Sequence, residues 1–204
     1  MQNIVITIGR EYGSGGRYIG EKLSQKLNIP FYDKKLLEKA YEKIGCNYSK
    51  INEYDEVAKN KYIKNLNLIN TSNSELAYEE NTYQTLMSKT IEELADSGSC
   101  IILGRNSNNI LKGRKNVINI FIYSNDIDFK VKRKMSLENL DYNEALNQLK
   151  KIDKQRKKYY ESLNNKQIWG DKANYDYTID SSILGVETTA DLIADIYKKA
   201  SSLL

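Results

Sequence analysis

Ile4-Val5-Ile6-Thr7-Ile8, then Gly9-Arg10-Glu11-Tyr12-Gly13-Ser14-Gly15-Gly16-Arg17, then the run from Tyr18 to Leu27: this stretch decides the fold. Its first residues are apolar or β-branched, the pattern of a buried strand. Beyond the loop, Ile19, Leu23 and Leu27 recur at i, i+4 and i+8, which predicts a helix over 18–27 with one core stripe. Strand, glycine-rich loop and helix therefore follow one another directly. A helix N-terminus presents unpaired backbone N–H groups and a partial positive charge, and glycines let the loop fold further N–H groups round an anion. The stretch reads as a phosphate cradle.

Set against the phosphate-binding pattern G-x-x-x-x-G-K-[ST], the loop departs at defined places. Gly9 and Gly15 are one residue too far apart, Gly16 stands where the lysine belongs, and Arg17 follows it. Context offsets these departures, because four glycines fall within eight residues between a strand and a helix. A glycine-rich turn without a ligand is the competing reading.

Residues 8–17, followed by Ile29-Pro30-Phe31-Tyr32-Asp33-Lys34, resemble the opening of the cytidylate kinase-like family of P-loop proteins. That family is similar to the nucleoside monophosphate kinases but carries a glycine and a basic residue in place of the usual lysine. The resemblance covers most of the chain and is thinnest over 48–80. It implies an α/β, three-layer P-loop NTPase fold: a five-stranded parallel sheet, helices on both faces and a helical lid. It also implies a single domain over 1–204, with 48–80 as a variable acceptor-side insertion and 126–171 as the lid region. The implied activity moves the γ-phosphoryl of ATP to a nucleoside monophosphate such as CMP or dCMP, with ATP and Mg²⁺ as cofactors.

Composition narrows the chemistry independently. The 204 residues suffice for one domain with a real core, and a net charge of +4 suits small anionic substrates without demanding nucleic acid. Cys46 and Cys100 are too few for a disulfide framework, and the chain has no His, which removes Cys/His zinc sites and the commonest general base. No window approaches a membrane span and no leader is visible, so a cytoplasmic protein that needs no membrane is expected.

Residues 29–33 form a short strand signal with Pro30 at its start, where a missing N–H is tolerated. Asp33 has two readings, as the cap of a helix over 34–44 or as a carboxylate at a strand's carboxyl end, where ligands bind in open α/β sheets. Residues 48–81 are polar, with a weak helical pattern over 57–69, and helical periodicity returns over 81–96. Cys100-Ile101-Ile102-Leu103 is a third strand, and Gly104-Arg105 after it places a guanidinium suited to phosphate at the rim, unless Arg105 simply caps its loop. In the family that arginine contacts the monophosphate and an Asp follows. Here Asn106 follows, so cytosine specificity is not implied at that position.

Residues 117–123 form a fourth strand, with a helix over 126–135 and a basic helix capped by Asp141 after it. Asp153 lies three residues before Arg156, so the two can pair. The basic run is either a solvated face or, by resemblance, a lid whose Arg133 and Arg156 close over the transferred group. Trp169 reads as a hydrophobic anchor, residues 175–180 as a fifth strand, and Ser181 and Ser182 as caps of a terminal helix over 186–203. Strand-helix alternation independently specifies a parallel sheet covered on both faces.

The candidate catalytic residues are thus Arg17, Arg133 and Arg156. Gly13, Ser14, Gly15, Gly16, Arg17 and Tyr18 form the donor-phosphate site, and Asp33, Arg105 and Asn106 the acceptor site. Tyr18 and Leu103 stand where a Mg²⁺-linked hydroxyl and an acidic residue would be sought, so no metal ligand is assigned. Two alternatives stay open: a non-catalytic nucleotide-binding sensor, or a kinase for a non-nucleotide small molecule.

Overall fold

The computed structural model describes residues 3–33, 74–165 and 167–203. Its strands are β1 (Val5–Arg10), β2 (Phe31–Tyr32), β3 (Cys100–Leu103), β4 (Val117–Tyr123) and β5 (Tyr177–Asp180). They form one parallel sheet in the order β2-β3-β1-β4-β5. β1 is central, with Ile6 opposite Ile101 on one side and Ile118 on the other. A parallel sheet needs both faces covered, and alternation along β1 does this. Ile6 and Ile8 pack with Ile19 and Leu23 of α1 (Gly16–Leu27) and with Ala190 and Ile193 of α6 (Ser181–Leu203). Val5 points the other way, with Cys100 and Ile102, onto Met87, Ile91 and Ala95 of α2 (Ser74–Ser97). This is the expected three-layer α/β fold.

A short α3 (Ser107–Ile110) follows β3, and a helical hairpin of α4 (Ile127–Glu138) and α5 (Tyr142–Leu163) rises between β4 and β5. The hairpin has its own small core of Val131, Ala145 and Leu149, into which the loop residue Tyr12 packs. Caps fix the starts of both helices, at Asp141 as the sequence indicates. Asp126 accepts from the Phe129 N–H, and Asp141 with Glu144 forms a reciprocal capping box. α4 runs on to Glu138, past the expected end near Met135, until Asn139 takes the left-handed conformation (φ 53°).

The terminal helix differs more. It starts at Ser181, and Gly185 (φ 75°) interrupts its helical geometry ahead of the main segment. The capping expected of Ser181 and Ser182 falls instead to Asp180, whose Oδ1 accepts the Ser182 N–H at 2.9 Å. Ser181 donates its hydroxyl to the Ser14 carbonyl at 2.7 Å, tying the last helix to the glycine loop. Trp169 does anchor the return from the helical hairpin, edge-on to Phe121 with ring centroids 5.3 Å apart. The helices expected over 34–44 and 57–69, and Cys46, lie outside the described residues. Among the described residues no helix is long and apolar enough to cross a membrane.

Candidate active site

The glycine loop leaves the carboxyl end of the central strand and turns into α1. Gly13 (φ 82°) and Gly15 (φ 83°) take left-handed conformations that other residues rarely adopt, and Gly15 is the N-cap of α1. A Cβ on Gly15 would stand 2.4 Å from Val186 Cγ1. Packing and backbone conformation therefore both require glycine there. Ser14 is buried, and its hydroxyl turns inward, 2.9 Å from the Glu11 carbonyl and 3.1 Å from the Ile122 carbonyl. What Ser14 can offer a ligand is backbone. Glu11 locks the base of the loop, its carboxylate taking Lys130 Nζ at 2.7 Å and the Ser124 N–H at 3.1 Å.

Above the loop lies a cavity of about 490 Å³. Gly13, Gly15, Gly16 and Tyr18 line it, together with Arg17, Arg133, Arg156, Arg10 and Lys134. The sequence-derived donor residues other than Ser14 and all three candidate catalytic arginines therefore share one space, with Asp33 on its wall. Their individual settings differ. The Arg17 guanidinium lies 2.9 Å from Asp33 Oδ2 and 2.9 Å from Glu21 Oε1, on the β2 side. Arg133 stands over the Tyr18 ring, 5.4 Å from its centroid. Arg156 donates from Nη1 to the Arg10 carbonyl at 3.2 Å, and its buried Nε has no hydrogen-bond partner among the described residues.

Arg105 and Asn106 are not on that wall. They line a smaller adjoining cavity of about 30 Å³ with Gly104, Tyr159, Tyr160, Trp169 and Tyr175, and among the described residues Arg10 and Arg156 reach both spaces. Arg105 is buried. The Asn106 carboxamide exchanges hydrogen bonds with Asn164 at the end of α5, at 3.1 and 2.7 Å. Its observed contact is therefore a tie between the β3 loop and the helical hairpin.

The helical hairpin is also tied to the glycine loop. The Tyr12 N–H donates to Asp153 Oδ1 at 2.7 Å, and the Tyr12 hydroxyl donates to Glu138 Oε1 at 2.7 Å, with Gln148 Oε1 at 3.0 Å. Burial pushes the Tyr12 phenol upward, reinforced by Glu138. Burial likewise pushes the Asp153 carboxyl up to about 6, despite the Tyr12 N–H and Arg156. The expected Asp153–Arg156 pair is present but long, at 3.8 Å. Sequence reasoning missed Arg10 and the Tyr12–Asp153 bond. Arg10 stood inside the quoted motif, but nothing in its spacing says which way its side chain runs.

The described side chains do not build a site for Mg²⁺. Mg²⁺ takes most of its oxygens from phosphates and water, with one or two carboxylates from the protein; here the Ser14 hydroxyl faces carbonyls, the Tyr18 hydroxyl donates to Glu187 at 2.9 Å, and Glu11 and Asp33 each face a cation. No cluster of three or more acidic, Cys or His residues capable of holding a metal occurs among the described residues. The arrangement is a cation-rich pocket over backbone N–H groups, which can bind and orient phosphates.

Known proteins share the fold. An uncharacterized protein from Eubacterium ventriosum is similar over 96% of this chain and 98% of its own, with 30% identity and a TM-score of 0.71. Shikimate kinase from Bacteroides thetaiotaomicron aligns over 97% and 99% of the two chains, with 14% identity and a TM-score of 0.51. TT1252 from Thermus thermophilus aligns over 100% of both, also with 14% identity and a TM-score of 0.51. At that identity these two likenesses speak for the fold alone. No curated protein matches the sequence. The sequence profile of the cytidylate kinase-like family matches residues 5–183, glycine loop, sheet and helical hairpin together, and the chain belongs to that family.

Proposed function

We propose that the protein is a phosphotransferase moving the γ-phosphoryl of ATP to a nucleoside monophosphate, CMP or dCMP. The observation that carries this is one cavity in which the loop glycines face arginines from three different helices, Arg17, Arg133 and Arg156. Phosphoryl transfer asks mainly for positioning and for fixed positive charge where the transferred group becomes more anionic. In this reading the N–H groups at Gly13, Ser14, Gly15, Gly16 and the start of α1, Tyr18 included, hold the donor phosphates. Arg133 and Arg156 meet the transferring group from the lid. Asp33 with Arg17, and Arg105 with Asn106 beyond them, bound the acceptor.

A phosphate acceptor also fits the absence of histidine. The second ionisation of a phosphomonoester lies near 6, so its attacking oxygen is already anionic at neutral pH. A hydroxyl acceptor would call for a base, and in this cavity Asp33 is paired with Arg17 and Glu138 with Lys134. We read 1–204 as one domain, with 48–80 as the acceptor-side insertion and 126–171 as the lid. The test is an ADP-release assay across nucleoside monophosphates, deoxynucleoside monophosphates and hydroxyl acceptors such as shikimate. Turnover with CMP or dCMP well above the others is expected. ATP binding without turnover on any acceptor would replace the kinase with a nucleotide sensor, a reading favoured by glycine at position 16.

A further inference from the structure

We propose that Arg10 supplies the phosphate-binding cation that the P-loop pattern places on a lysine at position 16. That lysine reaches the β- and γ-phosphates, and here the residue is Gly16. A Cβ on Gly16 would lie 2.7 Å from Arg10 Cβ and 3.0 Å from Arg10 Cγ. The space in which a side chain at position 16 would begin is filled by the stem of Arg10. At the other end of the same side chain, a Cβ on Gly104 (φ 71°) would lie 2.1 Å from Arg10 Nη1 and 3.2 Å from Cζ. Two glycines from separate loops therefore make room for one arginine, which runs from beneath the first turn of α1 to the end of β3.

Its position suits a phosphate ligand. Arg10 lines the large cavity beside Gly13, Gly15 and Gly16 and also the small one beside Arg105, and its carbonyl receives Arg156 of the lid. A guanidinium there can grip two phosphate oxygens at once, which a lysine cannot. Arg17 is the other basic residue beside Gly16, but its side chain is 59% exposed and turned onto Glu21 and Asp33. The loop has thus not lost its cation; the charge has moved from the first turn of the helix to the end of the preceding strand, and glycine at position 16 is the consequence.

This assignment rests on the reading that the loop binds the phosphates of ATP, and its test is kept separate from turnover. ATP and adenosine affinities of the full chain are measured by titration calorimetry, with circular dichroism reporting the fold. Arg10→Met and Arg10→Gln keep a stem against Gly16 and remove the charge. Each should weaken ATP binding by on the order of tenfold or more, as expected for loss of a charged hydrogen bond, and leave adenosine within about twofold. Arg10→Gly combined with Gly16→Lys should bind ATP several times more tightly than Arg10→Gly alone, because the freed space admits the lysine. Wild-type ATP affinity in either folded charge-removing variant overturns the assignment, as does a double variant no tighter than Arg10→Gly. Absence of turnover on every acceptor, with ATP affinity still dependent on Arg10, would remove the kinase reading and leave this one standing. No ATP binding by the wild-type chain overturns both.

Discussion

Replacing Gly15 by alanine tests whether the cradle is held by packing as well as by backbone freedom. Two costs add. At φ 83° a Cβ is held in the left-handed region, about 1–2 kcal/mol. The new methyl also starts 2.4 Å from Cγ1 of Val186, a residue buried in the core between α6 and the sheet. Val186 cannot swing into solvent, so the overlap must be relieved by strain, about 1–3 kcal/mol. The sum, about 2–5 kcal/mol, is a large share of the 5–15 kcal/mol typical of a folded domain. Trp169, the single tryptophan, packs on Phe121 and gives a fluorescence signal for urea unfolding. The Gly15→Ala midpoint should fall with the slope unchanged. Adding Val186→Ala relieves the overlap but not the backbone strain, so the double variant should be more stable than the sum of the singles by about 1–3 kcal/mol. A Gly15→Ala protein within about 0.5 kcal/mol of wild type, or strictly additive variants, would refute the packing account.

Asp153 gives a pH prediction. Its folded-state pKa is raised from 3.8 to about 6, so the folded chain holds this proton more tightly than the unfolded one. Its contribution to stability is complete below about 3.8 and is lost as pH rises through about 6, and Asp153→Asn should abolish that part of the pH slope in urea midpoints taken at pH 4 to 7. Identical slopes in the two proteins would contradict it. Arg156→Ala should lower kcat by on the order of 10²–10³, the scale for losing one preorganised donor, and Arg156→Lys should recover only part, since an ammonium lacks the planar fork that lets Nη1 hold the Arg10 carbonyl while other N–H groups stay available; full activity in either would remove Arg156 from the site. Cys100 is buried, which pushes its thiol up to about 12, so mass mapping should find it unlabelled by iodoacetamide in native protein and labelled once urea unfolds the chain. Rapid native labelling would contradict its place in β3.

What could be read from sequence was what local pattern encodes. The apolar runs at Val5 and Cys100 had to be buried strands, and the capping residue Asp141 sits where α5 begins. The glycine loop was legible because glycines between a strand and a helix have few other uses. Direction was not legible. Arg17 adjoins Gly16 in sequence, yet its charge is drawn to Asp33 across the β2 side, while Arg10, six residues before Gly16, fills the space where a side chain on that glycine would begin. Asp153 was seen as a helical partner of Arg156, but its short bond is to the Tyr12 N–H, 141 residues away in the chain. The Asn106–Asn164 tie likewise depends on two elements meeting in space. Such contacts follow from packing, which periodicity does not encode.

The central claim is transfer of a phosphoryl group from a nucleotide held on this loop to a phosphorylated acceptor. The most direct measurement incubates the full chain with ATP isotopically labelled in its γ-phosphoryl group and with CMP or dCMP, then follows the label by mass spectrometry. Label appearing in the nucleoside diphosphate product, in step with ADP, is the predicted result. Label that stays in ATP, or passes only to inorganic phosphate, would contradict it.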